Sequence, residues 1–562
     1  MTAAPEGTVP MLSVVVPARN SALWIGELIE SIAVQGVSGL EIVLVDNGSV
    51  DGTAAIATGA AGAGASVRVV RSAALSAAAA RNEGVAVARG EYLAFADADD
   101  LVPDGAYRSM LSSLEASGSD MVIGDHLKFA PARTWSPTER WWPFDRHITA
   151  ARPVDVPQLL SGRACWNRMF RRSFWDDSGL SFPEVPSLED VLPMTQAFVR
   201  ARTIDVVPEC VYLYRDRSGD ASLSRRADLE STLRYFEQEQ RCAEVTAGSD
   251  VLRHQHAEII LDADGWAHLD RFLRTEPSSA AVAEVAAAAR SLLEGSAAAR
   301  VDDVPAQRRV LWLLVLHGLF DAAVHFARTT FEAGAETRIG AWVRAVVDLA
   351  AVDPAAARAL ASEGLVPTFV NGADGLDTAA VQSAVHGLGR VDPRTDASEL
   401  EHAMASAITT ADGALVRRVS ALRHVVPLVV SEVSATESGL AVSGKASLGV
   451  VGLHPTLVLD GPTHAETPVR TVSTSDGWSA EISASILPER GRHGTTVTFQ
   501  GVEGSFPVVT ARMPLPPLED RFPLQPLADR RNGWRFLIDR RLPKRSVTGL
   551  AARLRARLGR VR

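Results

Sequence analysis

The first 125 residues alternate continuous apolar runs with amphipathic segments, and this alternation restricts the fold more than any other feature. Leu12–Val16 is a valine-rich run that ends at Pro17, as expected of a strand buried on both faces. Ser21 is suited to cap a helix whose apolar residues recur every three or four positions. The pattern continues and predicts strand Glu41–Val45, strand Val67–Arg71, helix Ser76–Ala88, strand Glu91–Ala96, helix Pro103–Glu115 and strand Asp120–Gly124.

Strands joined by single helices form βαβ units, so the sequence predicts an α/β fold with a mostly parallel, doubly wound sheet. Sheets of this kind bind their ligands at the carboxyl ends of the strands. We therefore expect the functional side chains in the loops that follow Val16, Val45 and Ala96.

The composition and periodicity of the sequence change three times along the rest of the chain. Residues 10–226 end in an irregular, aromatic-rich stretch that we expect to close over the sheet. Residues 227–423 are rich in Ala, Leu, Arg and Glu with helical periodicity, which predicts a helical linker domain. Short alternating strands separated by turn residues predict a small antiparallel β-sandwich over 427–513, and 514–562 is predicted to be a Pro-rich linker and a basic tail.

Composition excludes several classes of protein. The net charge of −10 argues against general nucleic-acid binding, although residues 530–562 hold 12 of the basic residues and one acid. Three scattered cysteines do not make a disulfide framework or a thiolate zinc site, which indicates a reducing, cytoplasmic setting. The longest apolar run, Val310–Phe320, is shorter than the ~18–20 residues that cross a bilayer and predicts a buried helix. We expect no signal peptide at the N-terminus.

Three carboxylates, Asp97, Asp99 and Asp100, follow the apolar strand that ends at Ala96. They repel one another, and their desolvation is costly unless a cation is present. Oxygen ligands suit Mg²⁺ or Mn²⁺, which in turn bind substrate phosphates. These residues alone leave open the alternative of an acidic turn that caps the helix near Pro103.

Two further residues with functional side chains lie in segments that are expected to reach the same edge of the sheet. Asp46, at the end of its strand, is suited to accept hydrogen bonds from a nucleobase or ribose, or to form an Asx-turn. Arg81 lies among alanines on a helix, where it can reach a phosphate or form an ion pair with one of the acids.

Four segments in this order resemble motifs of family 2 glycosyltransferases, which have the GT-A (nucleotide-diphospho-sugar transferase) fold. Ser13–Asn20 resembles the opening strand with its P-x-Y-N turn, and Val45–Ser49 resembles V-D-D-G-S. Ala80–Gly84 resembles A-R-N-x-G, and Gly90–Asp100 resembles G-E-Y-[IL]-x-F-L-D-x-D-D. The chain departs from the family at two positions, with Arg where the first motif has Tyr and Asn where the second has its second Asp.

The resemblance implies a site for a UDP-sugar donor. The residues it assigns there are Pro17, Ala18 and Asp46 at the uracil, Asp97 at the ribose or the metal, Asp99 as the main ligand of Mn²⁺ or Mg²⁺, and Arg81 near the sugar or diphosphate.

Three later segments extend the resemblance to about residue 226. Ser187–Leu192 resembles the E-D motif, which implies that Asp190 is the general base. Tyr214–Ser222 resembles the Y-R-x-R segment that closes over the diphosphate, which implies that role for Arg215, Arg217 and a serine. That serine is Ser222 or Ser218, and we favour Ser222. Trp166–Phe170 resembles the segment that frames the acceptor, although we favour the alternative that Trp166 is an ordinary buried aromatic residue.

The implied activity is the inverting, metal-dependent transfer of a sugar from a UDP-sugar, such as UDP-N-acetylglucosamine, to a hydroxyl group of a glycopolymer or lipid-linked acceptor. The order of domains resembles that of bacterial wall teichoic acid glycosyltransferases, whose C-terminal part supports oligomerisation, so a homo-oligomer is a further expectation. Leucines at helical intervals in the basic tail suit an anionic membrane surface at the inner face of the cell membrane, or a polyanionic polymer. A solvated tail is the alternative.

Two other functions stay open from the sequence. A nucleotidyltransferase also needs a metal held by carboxylates, but it normally has a Gly-rich basic loop after the first strand, which Pro17–Asn20 lacks. A degenerate transferase that only binds carbohydrate would not need the base Asp190.

Overall fold

The structure is a computed structural model that describes residues 11–60, 65–73, 76–138, 144–217, 227–295, 300–330, 334–389, 391–393, 398–436, 439–446, 454–460, 466–473, 477–483, 485, 490–510, 524–529 and 533–539. The chain divides into two compact units, Met1–Val304 and Pro305–Arg562. The division between the two units lies within residues 227–423, which the sequence indicates as one helical domain. The domain boundaries given in the sequence analysis stay predictions.

Unit 1 opens with the predicted alternation of strands and helices. Its elements are β1 (Leu12–Ala18), α1 (Ile25–Ala33), β2 (Leu40–Asp46), α2 (Thr53–Ala60), β3 (Ser66–Arg71), α3 (Ala77–Val87), β4 (Tyr92–Phe95), α4 (Ala106–Ser117), β5 (Met121–Ala130), β6 (Arg133–Trp135), β7 (Ile148–Ala151), β8 (Arg168–Arg171), α5 (Arg172–Asp177), α6 (Val191–Arg200), β9 (Ile204–Arg215), α7 (Leu229–Thr246), α8 (Asp250–Asp262), α9 (Asp264–Arg274) and α10 (Ser279–Gly295). Short 3₁₀ helices lie at Pro153–Asp155, Pro157–Ser161 and Val301–Asp303.

Within the described residues, nine strands of unit 1 form one sheet in the order β3-β2-β1-β4-β8-β5-β9-β7, with β6 beside β5. Strands β3, β2, β1 and β4 are parallel, as are β5 and β9, whereas β8 runs antiparallel between β4 and β5. Because the strand order reverses at β1, the loops after β1, β2 and β4 meet at the edge where such sheets bind ligands.

Side chains of the central strands alternate between two apolar cores. Val14 and Val16 face the core that α1 and α4 cover, whereas Val15 faces the core formed with α3, α5 and α6. All three valines are fully buried, and burial of each such side chain contributes about 1.5–3 kcal/mol. Helices therefore cover both faces of the sheet, and its carboxyl edge is left for the loops.

Helix α3 lies unusually close to the sheet because of Gly84. A Cβ atom at this position would overlap Val15 Cγ1 and lie 3.0 Å from Val45 Cγ2. The glycine thus lets α3 rest directly on β1 and β2, one helical turn after Arg81.

Helices α7 to α9 are anchored to the same unit by a buried ionic cluster. Arg163, which is 6% exposed, donates to Glu239 Oε2 over 2.7 Å and to Asp264 Oδ2 over 3.0 Å. Glu239 is fully buried and also contacts His256 Nε2 at 2.8 Å. Because removing one member of a buried pair leaves an uncompensated charge, this cluster ties the helices to the loop before β8.

Unit 2 begins with helices. These are α11 (Ala306–Leu316), α12 (Phe320–Thr329), α13 (Ala335–Ala350), α14 (Pro354–Leu360), α15 (Val366–Gly372), α16 (Thr378–Leu388), α17 (Glu399–Thr409) and α18 (Gly413–Leu422), with a π-helical turn at Ala361–Leu365. Residues Val310–Val315 of the long apolar run are buried in α11. Among the helices of the described ranges, none has the length and apolarity needed to cross a membrane.

Unit 2 ends in a β-rich segment. Its strands are β10 (Leu428–Val430), β11 (Glu432–Ala435), β12 (Gly439–Gly444), β13 (Pro455–Asp460), β14 (Glu466–Ser473), β15 (Trp478–Ser483), β16 (Arg490–Phe499), β17 (Phe506–Thr510), β18 (Leu524–Asp529) and β19 (Gly533–Asp539). The described strands follow the path β10-β17-β16-β13-β14-β15-β12-β11, with β19 beside β16 and β18 beside β19. The two ends of this path are consecutive in the chain, so the sheet is barrel-like.

The predicted fold class, a mostly parallel sheet followed by helices and a β-rich domain, is confirmed, and the sheet of that domain is barrel-like where the sequence predicts a small sandwich. Two further details differ from the sequence-based expectation. The pair β10–β17 is parallel, although an antiparallel arrangement was expected. Strands β18 and β19 lie within the range predicted to be a linker and tail, and the alternation of Trp534, Phe536 and Ile538 is a strand signal that the high charge obscured.

We predict that Gly84→Ala lowers the free energy of unfolding by about 1–3 kcal/mol, because the added methyl group overpacks the contact between α3 and the sheet. Gly59→Ala is the matched control, since a Cβ there meets nothing within 4 Å and the position is helical. Denaturant titration checks both variants. Equal stability of Gly84→Ala and Gly59→Ala would contradict this view of the packing.

Candidate active site

The loops after β1 and β2 form one wall of the site. Ala18 lies opposite Asp46 in the register of the two strands, and Asn47 N–H donates to the Ala18 carbonyl over 2.9 Å. The buried Asp46 carboxylate accepts the Ser49 N–H over 3.0 Å, as an Asx-turn does. The structure thus brings Asp46 next to Ala18 and the half-buried Pro17, the three residues expected at the base.

The acidic turn after β4 forms the floor. Asp97 N–H donates to Tyr212 Oη over 2.9 Å, and this tyrosine is fully buried on β9. Asp99 Oδ2 pairs with Arg217 Nε at 2.8 Å. Asp100 is 1% exposed, and its Oδ1 accepts the Arg215 N–H over 2.7 Å. The main chain of β9 therefore fixes the turn from below.

Burial and mutual repulsion raise the pKa values of two of these carboxyl groups. For Asp99, burial is the larger cause and the charge of Asp97 the next, while Arg217 opposes both. Burial also raises the pKa of Asp100 well above its usual range, helped by the charges of Asp97 and Asp99. A positive charge nearby would therefore favour the ionised forms of these carboxyl groups.

The turn fits a divalent cation by two observations. Among the described residues, none donates a hydrogen bond to the buried Asp100 Oδ2, and the Asp99 carboxylate already holds one cation, the Arg217 guanidinium. Mg²⁺ and Mn²⁺ are commonly held by one or two carboxylates, with water and substrate phosphates completing the shell. Within the described residues, no cluster of three or more His, Cys, Asp or Glu side chains is placed to hold a metal by itself.

Arg81 joins the acidic turn to the segment before α6. This arginine is 6% exposed, and it contacts Asp97 Oδ1 and Glu189 Oε1 at 2.6 Å each. The next residue, Asn82, exchanges two hydrogen bonds with the main chain of Phe182. Helix α3 therefore holds the segment 182–190 at both ends. Of the two roles that the sequence left open for Arg81, an ion pair and a phosphate contact, the structure shows the ion pair.

Asp190 lies at the start of α6 and is the first candidate for a base. Its pKa is raised to about 7, mainly by burial and then by the charge of Glu189, while Arg81 acts in the opposite direction. Leu188, two residues earlier, has a φ of +63°, which is rare for a residue with a Cβ atom. Strained backbone at such a position is typical of functional sites, because the surrounding contacts impose it.

Arg215, the last residue of β9, and Arg217, just after it, each pair with a carboxylate. Arg215 lies between the rings of Trp24 and Phe129, 4.4 and 4.7 Å from their centroids, and pairs with Glu27 at 2.7 Å. Arg217 pairs with Asp99 instead. Their contact with a diphosphate stays a prediction, and Ser218 and Ser222 lie outside the described residues.

Trp166 is one of several aromatic residues beside the acidic turn. It is 9% exposed, stacks on Tyr212 with ring centroids 4.4 Å apart, and contacts His126 edge-on at 4.8 Å. Sequence reasoning missed Tyr212 and Trp24. Tyr212 shares the face of β9 with Tyr214, so the alternation of that strand is the signal that would have found it.

The chain is similar to known proteins over its N-terminal part. Residues 13–178 match the family described as "Glycosyl transferase family 2". Glycosyltransferase GlyG of Streptococcus pneumoniae is 33% identical over 226 residues, which are 37% of this chain and 72% of GlyG. The uncharacterized glycosyltransferase EpsJ of Bacillus subtilis is 29% identical over 37% of this chain, and the match spans 62% of EpsJ, less than two thirds of its length.

A solved structure of S. aureus TarS residues 1–349, in complex with UDP-GlcNAc, is 20% identical with a TM-score of 0.45, and the match covers 57% of this chain and 91% of that one. A likeness of that size supports no inference about ligands. The match to the family and to GlyG does suffice to place the protein: the chain belongs to glycosyl transferase family 2.

Proposed function

We propose that the protein transfers a sugar from a UDP-sugar donor to a hydroxyl group of its acceptor, with inversion at the anomeric carbon. One observation carries the proposal. The buried guanidinium of Arg81 holds Asp97 and Glu189 at 2.6 Å each, so the acidic turn and the base candidate Asp190 are parts of one site. Membership of the family supports sugar transfer as the reaction class.

The donor would lie along the carboxyl edge of the sheet. Asp46 has one carboxylate oxygen bound to Ser49 N–H, and its other oxygen is suited to accept an N–H of uracil. Asp97 and Asp99 would hold Mn²⁺ or Mg²⁺, which neutralises the diphosphate leaving group when it is bound. Arg217 would leave Asp99 and pair with the diphosphate, for which a guanidinium is well suited.

The transfer step needs a base and a fixed geometry. Asp190 takes the proton of the acceptor hydroxyl while the oxygen forms its bond to the anomeric carbon. The bond between that carbon and the diphosphate breaks on the opposite face, UDP leaves, and the configuration is inverted. Arg81 keeps the base in place through Glu189, because it is itself fixed by Asp97.

The acceptor and the setting belong to the same proposal. A glycopolymer or lipid-linked acceptor, a cytoplasmic location at the inner face of the membrane, peripheral contact through residues 530–562 and a homo-oligomer are the expectations from the sequence. Of the tail, the structure describes only residues 533–539.

We predict that Asp190→Asn lowers kcat for transfer by about 10²–10⁴-fold, the usual contribution of a general base. The affinity for UDP should stay within about twofold, because the amide keeps the shape of the carboxylate and Asp190 is not among the residues expected to contact UDP. The matched control is Glu184→Gln, an exposed acid of the same segment. Steady-state kinetics and calorimetry measure the two quantities, and transfer at the wild-type rate in Asp190→Asn would remove the assignment.

A pH profile tests the same residue without a substitution. Because the pKa of Asp190 is raised to about 7, the base is protonated below that pH and ionised above it. We therefore expect kcat/KM to fall about tenfold for each pH unit below 7 and to level off above it. A profile that is flat from pH 5.5 to 8 would be incompatible with Asp190 as the base.

A further inference from the structure

The acidic turn leaves the sheet after β4 and pairs with β9, which lies three strands away in the order β4-β8-β5-β9. The Ala96 N–H still donates to the Val15 carbonyl of β1 over 3.1 Å. The main chain that follows needs partners from elsewhere, because buried N–H and C=O groups are costly when left unpaired. It finds them on β9, where Leu101 and Leu213 exchange two hydrogen bonds of 3.1 and 2.9 Å.

The side chain of Tyr212 makes the contact at the beginning of the turn. This tyrosine is fully buried, and its Oη accepts the Asp97 N–H over 2.9 Å. Further along the turn, Arg215 Nε donates to the Asp99 carbonyl over 2.7 Å, and the Arg215 N–H donates to Asp100 Oδ1. Strand β9 therefore holds the main chain of the turn at its first residue and again near its end.

Packing fixes the ring that carries this hydroxyl group. Trp166, in the loop before β8, stacks on the Tyr212 ring with centroids 4.4 Å and planes 16° apart. Tyr212 also belongs to the apolar core that includes Val207 and Val211 of the same strand. A side chain whose rotamer is locked by packing is preorganised, so the position of Oη is set by the core and not by the turn.

The anchor matters because the two carboxylates of the turn have exchangeable partners. Asp97 pairs with Arg81 and Asp99 with Arg217, and in the proposed function Arg217 leaves Asp99 for the diphosphate. The main-chain contacts with β9 then keep the two carboxylates at a fixed separation. Groups that orient metal ligands in this way contribute about 10–100-fold to metal affinity.

We propose that Tyr212 is a positioning residue for the cation site: its hydroxyl group fixes the Asp97 main chain, and this sets the separation of the carboxylates that would hold Mn²⁺ or Mg²⁺. The inference rests on the proposed function and deepens it. Tyr212 lies outside the segments in which the sequence resembles motifs of the family, so it adds a residue to the site.

The variant Tyr212→Phe tests the proposal in the full chain, because it removes the hydroxyl group and keeps the ring. In calorimetric titrations, the Kd for UDP in the presence of Mn²⁺ should rise about tenfold, whereas the Kd in EDTA should stay within about twofold. A merely structural role would change both constants or neither.

Tyr107→Phe is the matched control. Tyr107 is 1% exposed and belongs to the same core, but within the described residues its hydroxyl group has no hydrogen-bond partner. Arg152→Gln is a second control, since this exposed arginine lies beside the amino end of β9, on the opposite edge of the sheet. Both controls should keep the wild-type gain from Mn²⁺.

Hydrogen exchange in the ligand-free wild type adds a measurement that needs no substitution. The Asp97 amide should exchange slowly, because its N–H is bound to a buried hydroxyl group. Exchange at the rate of an unprotected loop amide would overturn the anchor.

The titrations also separate this inference from the proposed function. A gain from Mn²⁺ that is equal in Tyr212→Phe and the wild type, or an equal loss in Tyr107→Phe, overturns the positioning role and leaves the transferase proposal standing. UDP binding that is weakened as much in EDTA as in Mn²⁺ does the same. A wild-type protein that ignores UDP overturns the proposed function, and this inference with it.

Discussion

One buried arginine holds together the charges on which this site depends. Arg81 is almost inaccessible to solvent, and its two terminal nitrogens are shared between a carboxylate that follows β4 and one that precedes α6. Without it, the acids of these two segments would face one another across a poorly hydrated space. Its position follows from the close approach of α3 to the sheet, which Gly84 permits.

The remaining acids of the turn show the same need for positive charge. The pKa values of Asp99 and Asp100 are raised by burial and by their neighbours, and Arg217 partly compensates at Asp99. The proposed function accounts for this pair, because a carboxylate that holds a guanidinium is also suited to hold a divalent cation. Binding would then exchange one cation for another at Asp99, and this carboxylate would stay paired with a positive charge throughout.

Much of this architecture could be predicted from the sequence, because local periodicity encodes it. The strands from Leu12 to Gly124, the position of the acidic turn at a strand end, and the two options for Arg81 all followed from spacing and residue type. The segment that holds Asp190 was found through its resemblance to a family motif. None of this required knowledge of distant contacts.

What the sequence did not reveal depends on pairings between distant residues. The stacking of Arg215 on Trp24 joins positions 191 residues apart, and no local sequence pattern predicts it. The anchoring of α7 to α9 by Arg163 and Glu239 likewise requires the fold, because it joins positions 76 residues apart. In β19 the strand signal was present, but the basic charge around it favoured a different interpretation.

The account is tested most directly by titrating the protein with UDP in the presence and absence of Mn²⁺ in a calorimeter. It predicts that Mn²⁺ tightens UDP binding at least about tenfold, and that Asp99→Asn abolishes this gain while Arg152→Gln retains it. UDP binding that is equally tight in EDTA, or a gain that persists in Asp99→Asn, would contradict the claim that the acidic turn holds a cation for the diphosphate.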